Sequence, residues 1–454
     1  MSEEKKPSAL PLKIRISAID RFRGLSIFFM IFGHGLLYWL LPQEVFYAGF
    51  VVITWETLLC AAGAFIFISG ISMSLSYNSY SRMVQASPHN TQQEKWNGRL
   101  QIWIRTGWIA GLAFLTNVIG SVATGQLVIW IWFVLQTTWV ARAVIYPFLQ
   151  VRTWYRLVIG LAIILLADPL RIWCLNEMLL SNQSLFFDIF FKEINLNPFF
   201  PFVGFFFIGS ALGGWLDQWT QIQTRGKNTG QNNRIKIFII KKLFNPRAVV
   251  AFGAIFITIS IIIGWQMDYS LVALETVWRI NILPGFNIQG IPAFLVHGNS
   301  AWGLCTIGFD IVVFALFFNT DVKNLKERYS DDAVPLRKTE INEQNGAETK
   351  KTYKNSTKAL TLFGQQSLTV YLSHYFVFYI FQNMLWFWQY LILAPLIVVL
   401  IHTGIWIWAN GWGRGYTLDW VVGKTSDMAT KAILQRITRY QEKSKELKKK
   451  SPLQ

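Results

Sequence analysis

The chain has 454 residues, of which 53% are hydrophobic and only 15% are charged, and it carries a formal net charge of +17. Soluble globular chains contain about 25% charged residues, so this composition argues against a water-soluble enzyme. The basic residues fall between apolar runs, which argues against a nucleic-acid-binding domain and points to anionic lipid or an acidic cofactor. The three cysteines are scattered and form no CxxC pair, so the sequence predicts neither a disulfide framework nor a metal site.

Ten apolar runs of near membrane-spanning length follow one another along the chain. They must be helices, because lipid offers the backbone no hydrogen-bond partner and the weak alternation of a membrane barrel is absent. The sequence therefore predicts an all-α, polytopic membrane bundle of about ten transmembrane helices. The predicted spans are 22–41, 52–77, 102–120, 127–148, 157–173, 197–216, 248–267, 301–318, 359–381 and 386–409.

The positions of the Lys and Arg residues predict the orientation, because positive residues are retained on the cytoplasmic side. With a cytoplasmic N-terminus, nearly all of the 42 basic residues lie inside, and only Arg171, Lys192 and Arg279 lie outside. We therefore expect both termini in the cytoplasm of a multi-pass cell-membrane protein. The first apolar run is long enough to stay as an anchor, so no cleaved signal is expected.

This topology divides the chain into a cytoplasmic N-terminal segment at 1–20, a transmembrane domain at 21–409 and a basic cytoplasmic tail at 410–454. Two polar stretches inside the domain, 217–247 and 319–358, have the composition of solvated cytoplasmic loops. The tail places apolar residues at helical spacing among lysines, which is typical of a helix on the inner leaflet or of a solvated charged tail.

Two long loops, 174–196 and 268–300, are predicted outside the membrane. The second loop mixes charged and aromatic residues, among them Trp278 and His297, which suit a polar or sugar-like acceptor. A structural lid over the helix ends is the alternative interpretation.

Inserting an ionisable side chain into the membrane costs a few kcal/mol of free energy, so each such residue within an apolar run indicates a structural or functional role. Asp168 and Arg171 are three residues apart and are expected to form an intrahelical ion pair. Asp310 has no cation in its own helix, so its partner must come from another span. The full set is His34, Glu56, Arg142, Asp168, Arg171, Asp310, His374 and His402.

The first span is the most informative, because it combines Asp20, Arg23 and His34. Asp20 and Arg23 are neighbours at the inner mouth and can pair. Eleven residues separate Arg23 from His34, which places them on one helix face, about 16 Å apart along the axis. A neutral imidazole near mid-membrane can remove a proton from a hydroxyl or amine, or attack an activated acyl group itself. A purely structural hydrogen bond to a neighbouring helix is the alternative.

His374 is the second candidate for chemistry or for acceptor binding, although an interhelical hydrogen bond explains it equally well. Histidines on facing helices can also ligate haem. No second histidine lies within either span to build a stacked pair of haem sites, so acid–base chemistry is the preferred interpretation.

Four stretches resemble one family of membrane enzymes and occur in its order along the chain. Residues 19–26 (IDRFRGLS), running on to His34, resemble the first-helix signature of membrane acyltransferases related to heparan-alpha-glucosaminide N-acetyltransferase. The spacing from Arg23 to His34 is also similar to a motif of the type-3 acyltransferases in the same superfamily. The other stretches are 63–72 (GAFIFISGIS), 197–204 (NPFFPFVG), followed by Gly209 and Gly213, and 364–374 (GQQSLTVYLSH).

The resemblance implies a helical bundle that takes an acetyl or related acyl group from cytoplasmic acyl-coenzyme A and passes it to a sugar or glycan acceptor on the far side. It implies catalytic roles for His34, Asp20 and Arg23. A basic inner mouth suits the phosphates of the coenzyme. The predicted coenzyme-binding residues are Arg23, Arg82, Arg99, Arg105 and Arg142, and the acceptor-binding candidates are Trp278, His297 and His374.

A transporter or flippase without acyl-transfer activity is the competing hypothesis, with the buried charges marking a polar path. Internal inverted repeats, which would favour it, are not evident in the sequence.

Overall fold

The computed structural model describes residues 16–41, 43–44, 61–86, 92–124, 132–181, 190–191, 198–225, 240, 242, 244–266, 293–295, 298–328, 358–378, 381, 383–411 and 417–450. Within these ranges the chain forms thirteen α-helices, together with short 3-10 helices at Tyr146–Gln150 and Ala293–Leu295. The α-helices are α1 (Ser17–Tyr38), α2 (Ala61–Ala86), α3 (Gln92–Thr124), α4 (Val134–Ile145), α5 (Thr153–Leu165), α6 (Ala167–Ser181), α7 (Phe199–Arg225), α8 (Pro246–Gln266), α9 (Ser300–Arg328), α10 (Lys358–Gln365), α11 (Ser367–Phe378), α12 (Phe387–Gly411) and α13 (Leu418–Lys450).

The predicted all-α class is confirmed, and every predicted span coincides with helical structure in the described residues. Among the described residues, five helices are each long and apolar enough to cross a membrane, namely α3, α7, α8, α9 and α12. A sixth span results if α5 and α6, which meet at 43°, cross as one bent unit. These helices identify the chain as an integral membrane protein. The count of ten spans and the side of the membrane on which each terminus lies stay predictions.

Helices α7 and α9 lie at the centre of the bundle. The side chains of Phe202, Phe205 and Phe206 on α7 are fully buried, and Trp302 of α9 packs against the first two. In contrast, α3, α8 and α12 expose long apolar faces, as helices in contact with lipid do; Trp265 of α8 is an example. Burial therefore separates an inner pair of helices from a peripheral set.

Glycines allow two helix pairs to approach to backbone contact. A Cβ atom at Gly24 of α1 would lie 1.9 Å from the carbonyl oxygen of Leu360 on α10, and one at Gly364 would lie 1.7 Å from that of Asp20. Gly70 of α2 meets the backbone of α7 in the same way, with Phe206 oxygen 2.3 Å from its ideal Cβ position. Small residues at helix crossings are the usual means of close packing in membranes. The first crossing places α10 and α11 beside α1.

A buried carboxylate also joins helix ends. Asp168 pairs with Arg171, as expected, and its Oδ2 accepts a hydrogen bond from the backbone N–H of Ser300, 2.8 Å away. Asn299 accepts the N–H of Trp302 at 2.7 Å. The N-terminus of α9 is thus capped both by its own preceding residue and by α6.

Within the predicted tail, 410–454, the residues Leu418–Lys450 form α13. The first turns of α13 pack against α3 and α11, and the side chains of Ser426 and Thr430 are buried there. Further along α13 the apolar side chains of Ile437 and Tyr440 are exposed. The beginning of α13 is therefore part of the bundle.

Candidate functional site

The N-terminal end of α1 holds the first two catalytic candidates. Arg23 lies 3.8 Å from the carboxylate of Asp20, which is the pairing that their spacing predicts. Arg23 also donates to the carbonyl oxygen of Gly364, at 3.3 Å, and to the hydroxyl of Ser72. One guanidinium group therefore connects α1 with α2 and with the C-terminal end of α10.

His34 lies in the C-terminal third of α1, in contact with His374 of α11. The Nδ1 atom of His34 is 3.2 Å from Nε2 of His374, and the two rings are inclined by only 15°. His374 is completely buried, whereas His34 is partly exposed. The structure thus places His374 behind His34, as its hydrogen-bonding partner.

The hydrogen bonds of the two rings determine where their protons lie. The Nδ1 atom of His374 is 3.3 Å from the carbonyl oxygen of Val370, and because a carbonyl oxygen only accepts, this Nδ1 must carry the proton. In a neutral ring Nε2 of His374 is then an acceptor, so Nδ1 of His34 donates to it. This order of protons leaves the lone pair of His34 on Nε2, the atom required for base or nucleophilic chemistry.

An aromatic side chain contacts each ring of the histidine pair. Tyr38 contacts the ring of His34, with centroids 5.9 Å apart, and Tyr371 contacts the ring of His374 at 5.3 Å. On the α12 side, Tyr390 donates its hydroxyl to the carbonyl oxygen of Phe32 at 2.9 Å. The pair is held in an apolar setting that favours neutral imidazoles over charged ones.

Arg142 lies within electrostatic range of two other predicted coenzyme-binding arginines, one of which is Arg23 near the N-terminal end of α1. Arg142 of α4 donates its Nε–H to the hydroxyl of Thr106 at 3.3 Å. The guanidinium groups of Arg23 and Arg105 lie close enough to act electrostatically on it. Like charges held together in this way repel each other, and a bound polyanion would relieve the repulsion.

The other two arginines differ in their surroundings. Arg82 forms an ion pair with Asp217 of α7, so its charge is already balanced within the protein. Arg99 is exposed on α3. Arg105 also has a carboxylate nearby, because Asp427 of α13 lies 3.7 Å away in a pair that is half-exposed to solvent.

Several predicted positions lie outside the described residues, namely Glu56, Trp278 and His297. Asp310 is described and buried, and its Oδ2 atom has no hydrogen-bond partner among the described residues. The cation that the sequence requires for Asp310 is therefore not found in that part of the chain. The described residues also contain no group of three His, Cys, Asp or Glu side chains arranged to hold a metal ion.

Two residues that bind Arg23 or the first turn of α11 were not singled out from the sequence. Ser72, which accepts from Arg23, is the last residue of the second family-like stretch, and its position in that motif is a usable signal. Asp419 of α13 accepts hydrogen bonds from the first turn of α11. It lies in the basic tail, where an Asp in the first turn of a helix is a typical N-terminal signal.

A family model described as "Heparan-alpha-glucosaminide N-acetyltransferase, catalytic" matches residues 15–241, which is half of the chain. No curated protein and no solved structure matches the sequence. The matched region contains α1 with His34, α2 and the whole of α7, while α11 with His374 lies beyond it.

Proposed function

Because the chain belongs to the heparan-alpha-glucosaminide N-acetyltransferase catalytic-domain family, we propose that it is an acyl-coenzyme A-dependent membrane acyltransferase. It moves an acetyl or related acyl group from the cytoplasmic side to a sugar or glycan acceptor on the opposite side. The observation that carries this proposal is the contact between His34 and His374. Two neutral imidazoles supply a base at membrane depth without burying a net charge.

The arginine cluster supports the donor half of the proposal. Arg23, Arg105 and Arg142 offer planar guanidinium groups, which suit phosphate oxygens better than ammonium groups do. Arg23 and His34 lie on the same helix, about 16 Å apart along its axis. A coenzyme whose phosphates rest on the arginines would then extend its thioester towards His34.

The chemical step uses the Nε2 lone pair of His34. As the acceptor oxygen or nitrogen attacks the thioester carbonyl carbon, His34 removes the proton from that atom. A new carbon–oxygen or carbon–nitrogen bond forms, the carbon–sulfur bond breaks, and the coenzyme thiolate takes the proton back from His34. In the covalent variant, Nε2 attacks the thioester carbonyl carbon first, the carbon–sulfur bond breaks and the coenzyme leaves as a thiolate. The acceptor then attacks the acyl-imidazolium, its proton passes to the thiolate, and neutral His34 is regenerated.

His374 keeps His34 in the useful tautomer and orientation throughout either route. It donates to Val370 and accepts from His34, so both of its ring nitrogens are engaged. The hydrogen bond to His34 strengthens as positive charge develops on that ring.

The proposal is tested by supplying radiolabelled acetyl-coenzyme A and a panel of sugars to the purified protein. We expect transfer by the wild type, loss of transfer in His34→Ala, and retention in the matched control His402→Ala, whose ring packs against Phe363 on α10. Thermal unfolding confirms that each variant is folded. Intact-mass measurement after donor addition alone distinguishes covalent from direct transfer.

Absence of transfer with every acceptor, or transfer that survives in His34→Ala, would contradict the proposed function. Uptake of a sugar into proteoliposomes without any donor would instead support a transporter.

A further inference from the structure

The N-terminus of α11 is capped by a carboxylate that belongs to α13. Asp419 Oδ2 accepts the backbone N–H of Leu368 at 3.2 Å, the N–H of Thr369 at 3.1 Å and the hydroxyl of Thr369 at 3.1 Å. These N–H groups belong to the first turn of a helix, where no intrahelical partner exists. A side chain that is distant in sequence therefore satisfies them.

The capping is reciprocal. The hydroxyl oxygen of Thr369 accepts the backbone N–H of Leu418, at 3.0 Å, while its proton is donated to Asp419. The two helices thus begin side by side, and each contributes a side chain to the N-terminus of the other. Because both N-termini carry partial positive charge, one carboxylate between them stabilises both.

The capped turn is also the turn that orients the histidine pair. Val370 follows Thr369 directly, and its carbonyl oxygen accepts the Nδ1 proton of His374. Its own N–H is bound to the carbonyl oxygen of Gln366 at 2.9 Å, across the break between α10 and α11. Any fraying of this turn moves the acceptor that determines the tautomer of His374.

Charged side chains bind the backbone on both sides of the break between α10 and α11. Helix α10 ends at Gln365, and α11 begins again at Ser367 with only twelve residues. Arg23 holds the end of α10 through the carbonyl of Gly364, and Asp419 holds the start of α11. The two sides of the break are therefore fixed by separate charged residues.

We propose that Asp419 is a positioning residue for acyl transfer. It holds the first turn of α11 so that Val370 keeps His374 as an Nδ1–H tautomer and His34 keeps its lone pair on Nε2. Asp419 touches neither histidine and acts through Leu368, Thr369 and Val370. This inference rests on the proposed function for its kinetic consequence, and it extends the site to a helix outside the region that the family model matches.

The variants Asp419→Ala and Asp419→Asn test the proposal in the full-length protein. Asn retains one acceptor oxygen and is itself a good helix cap, whereas Ala retains none. We expect kcat to fall at least about tenfold in Asp419→Ala, to recover in large part in Asp419→Asn, and the KM for acyl-coenzyme A to change little. Met428→Ala, at an exposed position on the same helix, is the matched control and is expected to keep the wild-type rate.

Nitrogen-15 NMR of histidine-labelled protein provides a readout that does not depend on activity. The sequence contains five histidines, and ring nitrogen shifts distinguish Nδ1–H from Nε2–H tautomers. We expect Nδ1–H for both His34 and His374 in the wild type and in Asp419→Asn. In Asp419→Ala the signals of both rings should show a mixture of tautomers.

The outcomes separate this inference from the proposed function. If the wild type transfers no acyl group, the proposed function fails, and the NMR comparison still decides whether Asp419 sets the tautomers. Unchanged kcat and unchanged tautomers in a folded Asp419→Ala protein would overturn the positioning role. If Asp419→Ala does not fold, Thr369→Val, which removes the bridging hydroxyl alone, must show the partial tautomer mixing, and normal spectra there overturn the proposal.

Discussion

Gly364 of α10 packs directly on the backbone of Asp20 in α1, so closely that an ideal Cβ atom would lie 1.7 Å from the Asp20 carbonyl oxygen. Gly364→Ala must therefore push the two helices apart. We expect it to lower the free energy of unfolding by about 2 kcal/mol or more, as overpacking of a tight contact does. It should also weaken acyl transfer, because the Gly364 carbonyl holds Arg23.

The matched control for this prediction is Gly404→Ala in α12, where nothing lies within 4 Å of the added methyl group. That change should leave stability unaltered or raise it by up to about 1 kcal/mol through helix propensity. Thermal unfolding in detergent measures both variants. Equal melting temperatures for the two variants would show that the helix crossing is looser than described.

Replacing either histidine of the pair should reduce turnover. We expect His34→Ala to lower kcat at least about 100-fold, because it removes the proposed base. His374→Ala should also lower kcat, because Nδ1 of His34 loses its acceptor and the ring is free to change tautomer. Residues that act as a unit are not additive, so the double variant should be little worse than His34→Ala. Steady-state kinetics on folded protein gives the comparison, and full additivity would contradict the paired role.

Arg142 and Arg82 should respond differently to loss of charge. We expect Arg142→Gln to raise the KM for acyl-coenzyme A about tenfold, because a charge-assisted contact to phosphate is lost. Its melting temperature should not fall, since the change relieves repulsion from Arg23 and Arg105. Arg82→Gln breaks the pair with Asp217 and should mainly lower stability. An increase in KM confined to Arg82→Gln would reverse this assignment.

The ion pair between Asp168 and Arg171 is almost fully buried, with side-chain exposures of 3% and 5%. Asp168→Ala leaves a buried guanidinium without its partner and removes the cap on Ser300. We expect a loss of about 3–5 kcal/mol in unfolding free energy. The double change Asp168→Leu with Arg171→Leu should recover part of this loss. Chemical denaturation measures the unfolding free energies of the wild type, Asp168→Ala and the double variant. An unchanged unfolding free energy in Asp168→Ala would show that the ion pair is not needed for stability.

The stability contributed by Asp419 should depend on pH. Burial raises the pKa of its carboxyl above the ordinary value of 3.8, while hydrogen bonds from Thr369 and Leu368 and the charge of Arg23 act in the opposite direction. The folded state therefore binds this proton more tightly than the unfolded chain does. The stabilisation is complete below the unfolded pKa and is lost as pH rises through the raised folded pKa.

The corresponding test compares the wild type with Asp419→Asn across a pH series of thermal melts. We expect the wild type to gain stability relative to the variant as pH falls from neutral towards 4. Parallel pH profiles for the two proteins would show that the carboxyl titrates as an ordinary exposed group.

The sequence predicts those features of the fold that depend on local pattern. Each of the ten predicted apolar runs coincides with helical structure in the described residues, because a helix in lipid needs only a continuous stretch of apolar residues. The ion pairs Asp20–Arg23 and Asp168–Arg171 could also be predicted, since a spacing of three residues places two side chains on the same helix face. The family-like stretches contain the glycines at both close helix crossings.

Contacts between distant parts of the chain could not be read in the same way. His34 and His374 were both singled out, but they are 340 positions apart, and no local spacing reports that their rings meet. Asp419 was assigned to a tail by average charge, because composition does not distinguish one carboxylate that caps another helix. The acceptor candidates Trp278 and His297 lie outside the described residues, so their role stays a prediction.

The reciprocal capping of α11 and α13 has a consequence for deletion experiments. A chain truncated at residue 416 would retain every segment predicted to cross the bilayer, yet it would lack the carboxylate that holds the turn behind His374. We expect the truncated protein to insert into the membrane and to remain folded as a bundle. It should lose catalytic turnover, as a substitution in the active site would. Adding back a separate peptide that spans α13 would then be the natural complementation experiment.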